Sequence, residues 1–233
     1  MTTSTSPTSS SSPLAERLAG VRAGIADAAR AAGRTPEELT TIVVTKFHPA
    51  SLVRELSTMG VRDVGENRHQ EAQVKAAELS DLDLRWHFVG QLQSKKARQV
   101  RAYADVIHSI DRTSLVEALR SDEAEIDCFV QLNLTDDPAR GGVSNRDLEP
   151  LVERVLETPG LRLLGVMAVA PLGEDARHAF ARVRSASERV AALEPLANKI
   201  SAGMSQDYAA AIAEGATHLR IGTAITGNRP EHG

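Results

Sequence analysis

Apolar residues recur along this chain with two different periods, and the two alternate from one end to the other. Leu14, Leu18, Val21 and Ile25 fall at helical spacing and Gly33 supplies a stop, which predicts an opening amphipathic helix. Short apolar or β-branched runs follow at 41–45, 61–64, 86–89 and 106–110, and again at 126–134, 161–169, 199–203 and 218–221. Segments of helical periodicity separate them, such as Leu52 with Leu56, and Leu148, Leu151, Val152 and Val155. The pattern predicts eight strands in alternation with helices.

Alternation of that kind implies parallel pairing through right-handed crossovers, and eight such units can close on themselves. The expected fold is therefore α/β, a single-domain (β/α)8 TIM barrel with an extra N-terminal helix. The rival is an open doubly wound sheet. It would place a glycine-rich turn after the first strand, where this chain has Lys46-Phe47-His48-Pro49 instead. Residues 1–12 are almost entirely Ser, Thr and Pro, with nothing to bury, and are expected to form a disordered tail; residues 13–230 are expected to form the barrel.

Composition narrows the function classes. The chain has 233 residues, 42% of them hydrophobic, and a net charge of −4, which gives no electrostatic reason to expect nucleic acid or an anionic membrane. No apolar run approaches the roughly 18 residues of a membrane span, and the N-terminus lacks a secretory pattern, so a cytoplasmic location is expected. The single cysteine, Cys128, excludes an internal disulfide framework and sits in an apolar run, where a buried, inert thiol is expected. The seven histidines show no metal spacing. Lys95, Lys96, Arg98 and Arg101 read as a solvated basic face, and Trp86 as packing against a helix.

In a barrel of this kind chemistry belongs at the C-terminal ends of the strands. Those ends carry Thr45-Lys46, then Gly65-Glu66-Asn67, His87 ahead of Gly90-Gln91, and Ser109-Ile110-Asp111. Further round come Asn133, Met167-Ala168, Ser201-Ala202-Gly203-Met204-Ser205 and Arg220-Ile221-Gly222-Thr223. Side chains alternate along a strand, so Lys46 shares a face with Ile42 and Val44 and should point inward at the barrel mouth. An amine held among apolar walls is biased toward its neutral, nucleophilic form, as imine formation with an aldehyde requires. Ser205 is placed to cap a helix starting at Gln206, while Gly222 and Thr223 offer N–H groups and a hydroxyl from the adjacent loop, an arrangement that favours an anion. By parity Arg220 projects into the barrel, where it needs an acceptor: a heteroaromatic ring nitrogen or a carboxylate such as Glu66.

The runs Val43-Val44-Thr45-Lys46, Gly65-Glu66-Asn67 with Gln70-Glu71, and Trp86-His87-Phe88-Val89-Gly90-Gln91-Leu92-Gln93 resemble those of the pyridoxal phosphate homeostasis protein family. So do Gly203-Met204-Ser205 with Asp207, and Arg220-Ile221-Gly222-Thr223-Ala224-Ile225, and the resemblance runs from about residue 14 to residue 229. It implies the alanine racemase barrel standing alone, with pyridoxal 5'-phosphate (PLP) held as a covalent imine on Lys46. It further implies Ser205, Gly222 and Thr223 around the phosphate, Arg220 toward the pyridine nitrogen, and Asn67 and His87 nearby, with Ser201 and Met204 completing the set. Arg68, where an aromatic residue is frequent, Thr45 in place of a serine, and Thr226-Gly227-Asn228-Arg229, where Phe-Gly is usual, depart from the pattern.

Racemisation needs a proton donor and an acceptor on opposite faces of the substrate. Resembling racemases take a tyrosine from a second domain, and with so little sequence after the eighth strand no such domain is expected here. Its own tyrosines, Tyr103 and Tyr208, fall in helical segments. An arginine at the ring nitrogen would also weaken the ring as an electron sink. The expectation is a carrier, a monomer or weak homodimer, acting in vitamin B6 and amino-acid balance and handing PLP to apo PLP-dependent enzymes. The alternatives are a single-domain PLP-dependent racemase and an aldolase using Lys46 without a cofactor.

Overall fold

A computed structural model of the chain describes residues 12–229 apart from 136, 138 and 139. Eight strands form one closed, all-parallel barrel in sequence order. They are β1 Thr40–Val44, β2 Asp63–Glu66, β3 Arg85–Phe88, β4 Val106–Ile110, β5 Ile126–Gln131, β6 Leu161–Met167, β7 Lys199–Ser201 and β8 His218–Ile221. The helices are α1 Pro13–Ala31, α2 Ala50–Thr58, α3 His69–Glu78, α4 Ala97–Arg101, α5 Thr113–Leu119, α6 Leu148–Leu156, α7 Ala176–Leu193, α8 Tyr208–Ala213 and α9 Thr223–Thr226. The TIM-barrel expectation and the extra N-terminal helix both hold. The barrel closes through β1 and β8, with Thr40 beside His218 and Val43 beside Ile221.

Several expected strands stop short: the run at 126–134 ends as strand at Gln131, that at 161–169 at Met167, and that at 199–203 at Ser201. Periodicity sees apolar residues, but the ladder ends where neighbouring strands end, and the surplus residues turn over the rim. The run at 61–64 slides to Asp63–Glu66 because Val61 is still tied back to α2, its N–H donating to the Leu56 carbonyl.

Helix α1 lies across the end of the chain. It packs Leu14, Leu18, Val21 and Ile25 into the core, and Arg17 donates from Nε to the Ile225 carbonyl at 2.7 Å. Ser12 does not belong to the tail: its hydroxyl accepts from the Ala15 N–H and donates to Glu55, capping α1. The rest of the expected tail lies outside the described residues. Arg101 is not part of a solvated face either. Its guanidinium donates to the carbonyls of Leu119, Gly160 and Ala124, whereas Lys95 and Arg98 are exposed.

Strand parity separates two cores. Val43, Val64, Trp86, Phe88, Ile107, Cys128, Val130, Val166 and Leu219 face the helices. The Cys128 thiol is fully buried and its pKa is pushed up by that burial. The opposite parity fills the barrel with Ile42, Val106, Phe129 and Met167, together with His87, His108, Ser201, His218 and Arg220, all 7% exposed or less. The N-terminal mouth is plugged by charges, with Arg85 and Arg162 each donating to Asp127 at 2.5 Å. Among the described residues no helix is long and apolar enough to cross a membrane, and no cluster of three or more His, Cys, Asp or Glu is placed to hold a metal.

Burial holds His48, His87, His108 and His218 below the usual imidazole value of 6.5, His218 at about 3. Below pH 6.5 the unfolded chain takes up protons there that the folded chain refuses, so acid favours unfolding. Glu66, raised by burial, opposes this with at most one proton. Stability should fall as pH drops below about 6, by roughly 1.4 kcal/mol per pH unit for each net proton taken up on unfolding. Urea midpoints measured across that range check it, and His218→Gln should remove about one proton from the slope.

Candidate functional site

At the C-terminal rim, a cavity of about 380 Å³ opens between the ends of the first three and the last three strands. Lys46, Asn67, Met204, Ser205, Arg220, Gly222 and Thr223, all singled out by sequence, line it, together with Val44, Val89, Gly90, Val169, Gln206 and Asp207. The expected residues His87 and Ser201 are absent from that lining. Both sit one layer deeper in the barrel, buried to 1% and 0% exposure, because their side chains leave the strands below the rim.

Lys46 stands two residues past the end of β1, in line with Ile42 and Val44 as strand parity predicts. It is, however, exposed rather than enclosed by apolar walls. The chain leaves the sheet at this point: Phe47 has φ +67°, the only described non-glycine residue in the left-handed region, and that turn carries the amine to the rim. Glu71 holds the turn, accepting from the Phe47 N–H at 3.2 Å and from Arg68 at 3.2 Å. The Arg68 and Arg229 guanidinium carbons lie over the Phe47 ring at 4.6 and 4.5 Å from its centroid, with Lys46 Nζ at 5.9 Å. Two of the departures from the family pattern thus meet at one aromatic ring beside the amine.

Thr45, one residue earlier, is anchored from beneath. Its hydroxyl donates to Glu66 Oε1 at 2.6 Å, and Lys75 Nζ donates to Glu66 Oε1 at 2.7 Å and to the Thr45 carbonyl at 2.9 Å. Glu66 is therefore the partner of Lys75 and not of Arg220. Arg220, 5% exposed, donates to Ser201 Oγ at 2.6 Å and to the Ala168 carbonyl at 2.8 Å, and none of the ion pairs among the described residues includes it. Burial pushes its pKa down to about 10, against the pull of Asp207. A buried cation without an ion-pair partner, facing a cavity, is a standing demand for an acceptor.

The far wall is built from the loops after β7 and β8. Helix α8 begins at Tyr208 rather than Gln206, and Asp207, not Ser205, organises its start, accepting from the Met204 N–H at 2.6 Å. Ser205 instead ties the two loops together by accepting from the Ala224 N–H at 3.4 Å. Gly203 has φ +92°, and a Cβ there would lie 2.8 Å from Ala211 Cβ, so only glycine lets this turn fold against α8. Gly222 and Thr223 open α9; Gly222 at the N-cap has no side chain to offer, and Ser205 reaches the Ala224 N–H from the neighbouring loop. The first N–H groups of a helix lack acceptors one full turn back; here Ser205 meets that of Ala224 and the Gly222 carbonyl meets that of Ile225, which leaves that of Thr223 as the donor. Asn67 completes the lining: its Oδ1 is buried with no hydrogen-bond partner, and Gly90 permits its position, since a Cβ there would collide with the Asn67 backbone.

The sequence pattern alone does not single out Asp63 and His108, which lie beneath the cavity in contact with His87. Strand parity is the signal that could find them, since both are polar residues on the inward faces of β2 and β4.

Residues 18–230 match the family model described as alanine racemase, N-terminal domain. The chain is 42% identical over 225 residues, 94% of its own length and 96% of the relative's, to the pyridoxal phosphate homeostasis protein of Pseudomonas aeruginosa. It is 40% identical over 227 residues to the protein of that name from Escherichia coli, covering 93% of this chain and 97% of that one. Among solved structures it resembles PipY of Synechococcus elongatus with PLP bound, at 36% identity and a TM-score of 0.80, covering 92% of this chain and all of that one. Alanine racemase of Corynebacterium glutamicum shares the fold, with a TM-score of 0.68 at 14% identity over 93% of this chain and 63% of that one.

Removing the Lys75 ammonium would leave Glu66 buried and unpaired below the Lys46 turn. Lys75→Met should cost about 3 kcal/mol of stability in urea titrations at neutral pH. The Lys75→Met, Glu66→Leu double variant should recover most of that loss, since both charges then leave together.

Proposed function

We propose that this chain, which belongs to the pyridoxal phosphate homeostasis protein family, binds PLP at the rim cavity and holds it through a covalent imine on Lys46. One observation carries the reading. A primary amine, a buried guanidinium with no ion-pair partner among the described residues and the Gly222–Thr223 turn line a single cavity of about 380 Å³. The unpartnered Asn67 Oδ1 in the same lining fits a ligand that brings a hydrogen-bond donor. The cofactor supplies an aldehyde carbon that condenses reversibly with a primary amine. Lys46 is that amine, on a rim where an incoming amine can reach it. Arg220, whose other donors engage Ser201 and Ala168, directs its remaining N–H capacity at the cavity. The N–H groups of Gly222 and Thr223 and the hydroxyls of Ser205 and Thr223 are the phosphate's holders.

The same lining argues for holding rather than turnover. Besides Lys46 it contains no tyrosine, histidine or cysteine, and its carboxylate, Asp207, is committed to the Met204 N–H. Tyr208 packs at the α1–α8 interface near Gly24, and the Tyr103 hydroxyl is buried away from the cavity. A racemase would need a second acid–base group opposite the amine, and none of these provides it. We therefore assign the chain a role in storing PLP and releasing it to apo PLP-dependent enzymes, with an amine displacing Lys46.

Purified protein should be yellow, and borohydride should fix one pyridoxyl phosphate group on the peptide carrying Lys46. Lys46→Ala should lose both colour and adduct. D-amino-acid formation at about 1 per second or faster would overturn the carrier role in favour of a racemase. Ser205→Ala with Thr223→Val should weaken PLP retention about tenfold or more in equilibrium dialysis, since each removes a hydrogen bond to a charged group. Unchanged retention would place the phosphate elsewhere.

A further inference from the structure

Below the cavity, four polar side chains on the barrel's inward face join Arg220 to the opposite end of the barrel. Arg220 donates to Ser201 Oγ at 2.6 Å, and Ser201 Oγ lies 2.9 Å from His108 Nδ1. His108 Nε2 lies 2.9 Å from His87 Nδ1, and His87 Nε2 lies 2.9 Å from Asp63 Oδ1. Asp63 starts β2 at the N-terminal mouth, where its side chain is 25% exposed; the three residues between it and Arg220 are at most 1% exposed.

The chemistry of the ends fixes the direction of every link. A guanidinium can only donate and a carboxylate can only accept. From the lower end, Asp63 requires a proton on His87 Nε2. The neutral ring then accepts at Nδ1, which puts the proton of His108 on Nε2 and leaves its Nδ1 to accept from the Ser201 hydroxyl. Ser201 oxygen remains free to accept from Arg220. All links run one way, both rings are neutral, and both nitrogens of each ring are used. The reverse arrangement would set two acceptors face to face at His87 and Asp63 unless a further proton were added.

Burial lowers both imidazole pKa values, which keeps the rings neutral; burial also opposes ionisation of Asp63, but the His87 hydrogen bond and the Arg85 charge hold its carboxyl below the usual value. The other charged and titratable neighbours are engaged elsewhere: Arg85 with Asp127, Asp105 with the Trp86 N–H, and His218 with Thr217. The His108 ring stacks on Phe129, with centroids 4.6 Å apart, so it cannot turn over without disturbing the interior.

We propose that Asp63, His87, His108 and Ser201 are positioning residues for Arg220, a one-way hydrogen-bonded chain that aims the guanidinium at the cofactor cavity and ties it to the far mouth of the barrel. The proposal rests on the PLP reading for what Arg220 meets, but the chain itself does not depend on that reading. With cofactor-free protein labelled at its histidine rings, nitrogen NMR should find His87 and His108 neutral and protonated on Nε2 from about pH 6 to pH 8. A proton on Nδ1 of either ring, or titration of either near 6.5, would overturn the chain. Asp63→Ala, which touches nothing in the cavity, should speed PLP dissociation about tenfold and move the pH midpoint of the bound cofactor's absorption band. Asp63→Asn keeps an acceptor for His87 and should stay within about twofold of the wild type. Identical dissociation and spectra for Asp63→Ala and wild type would reduce the chain to a packing feature. Should Asp63→Ala fail to fold, Ser201→Ala cuts the chain at its other end and is held to the same readouts. Wild-type protein that takes up no PLP would refute the cofactor reading, and the ring tautomers alone would then decide whether the chain exists.

Discussion

Closure of the barrel is the constraint on which the rest of the molecule depends. Pairing of β1 with β8 sets Ile42 beside Arg220 and Val43 beside Ile221, although nearly 180 residues separate them in sequence. That register brings the amine after the first strand to the same cavity as the guanidinium of the last strand and the N–H groups of the turn beyond it. An open sheet of the same eight strands would leave β1 and β8 as distant edges, and no single cavity could hold all three. Helix α1 reinforces the seam, since it packs against α8 and α9 and its Arg17 grips the Ile225 carbonyl.

A barrel this small must fill its interior, and this one does so in tiers. Charges plug the N-terminal mouth, Val106, Phe129 and Met167 form an apolar middle, and histidines, a serine and an arginine thread past them toward the site. Burying polar groups costs free energy unless each finds a partner. The continuous chain from Asp63 to Arg220 is how that cost is met. It also explains why an arginine can sit buried near the cavity without an ion-pair partner: its orientation is fixed from behind, and its remaining donors face the space where a ligand sits.

Much of the candidate site is legible in the sequence, and the exceptions share a cause. Lys46, Arg220, Gly222 and Thr223 can be read because strand parity and the end-of-strand rule act on local order alone. Ser205 is readable as a member of the site but not as the cap of a helix at Gln206: the helix starts later, at Asp207–Tyr208, and the Ser205 hydroxyl reaches the neighbouring loop instead. Glu66 is a plausible partner for Arg220 by spacing, yet Lys75, nine residues along on α3, reaches it first. His87 is expected at the cofactor and lies a layer beneath it. Each of these differences concerns which of several plausible partners is nearest, a question that sequence order does not answer.

What the sequence alone determined is the alternation of strands with helices, the closed α/β architecture, the facing of each strand residue and the family. Periods of two and 3.6 residues and short motifs are local properties, so they survive in a one-dimensional reading. Only the tertiary structure decided how far Lys46 stands out at the rim, that Arg68 and Arg229 both reach Phe47, and that Asp63, His87, His108 and Ser201 join into one chain. Those facts depend on barrel tilt and register, which stack residues from different strands at common heights, and a contact across the barrel leaves no signature in the spacing of residues along the chain.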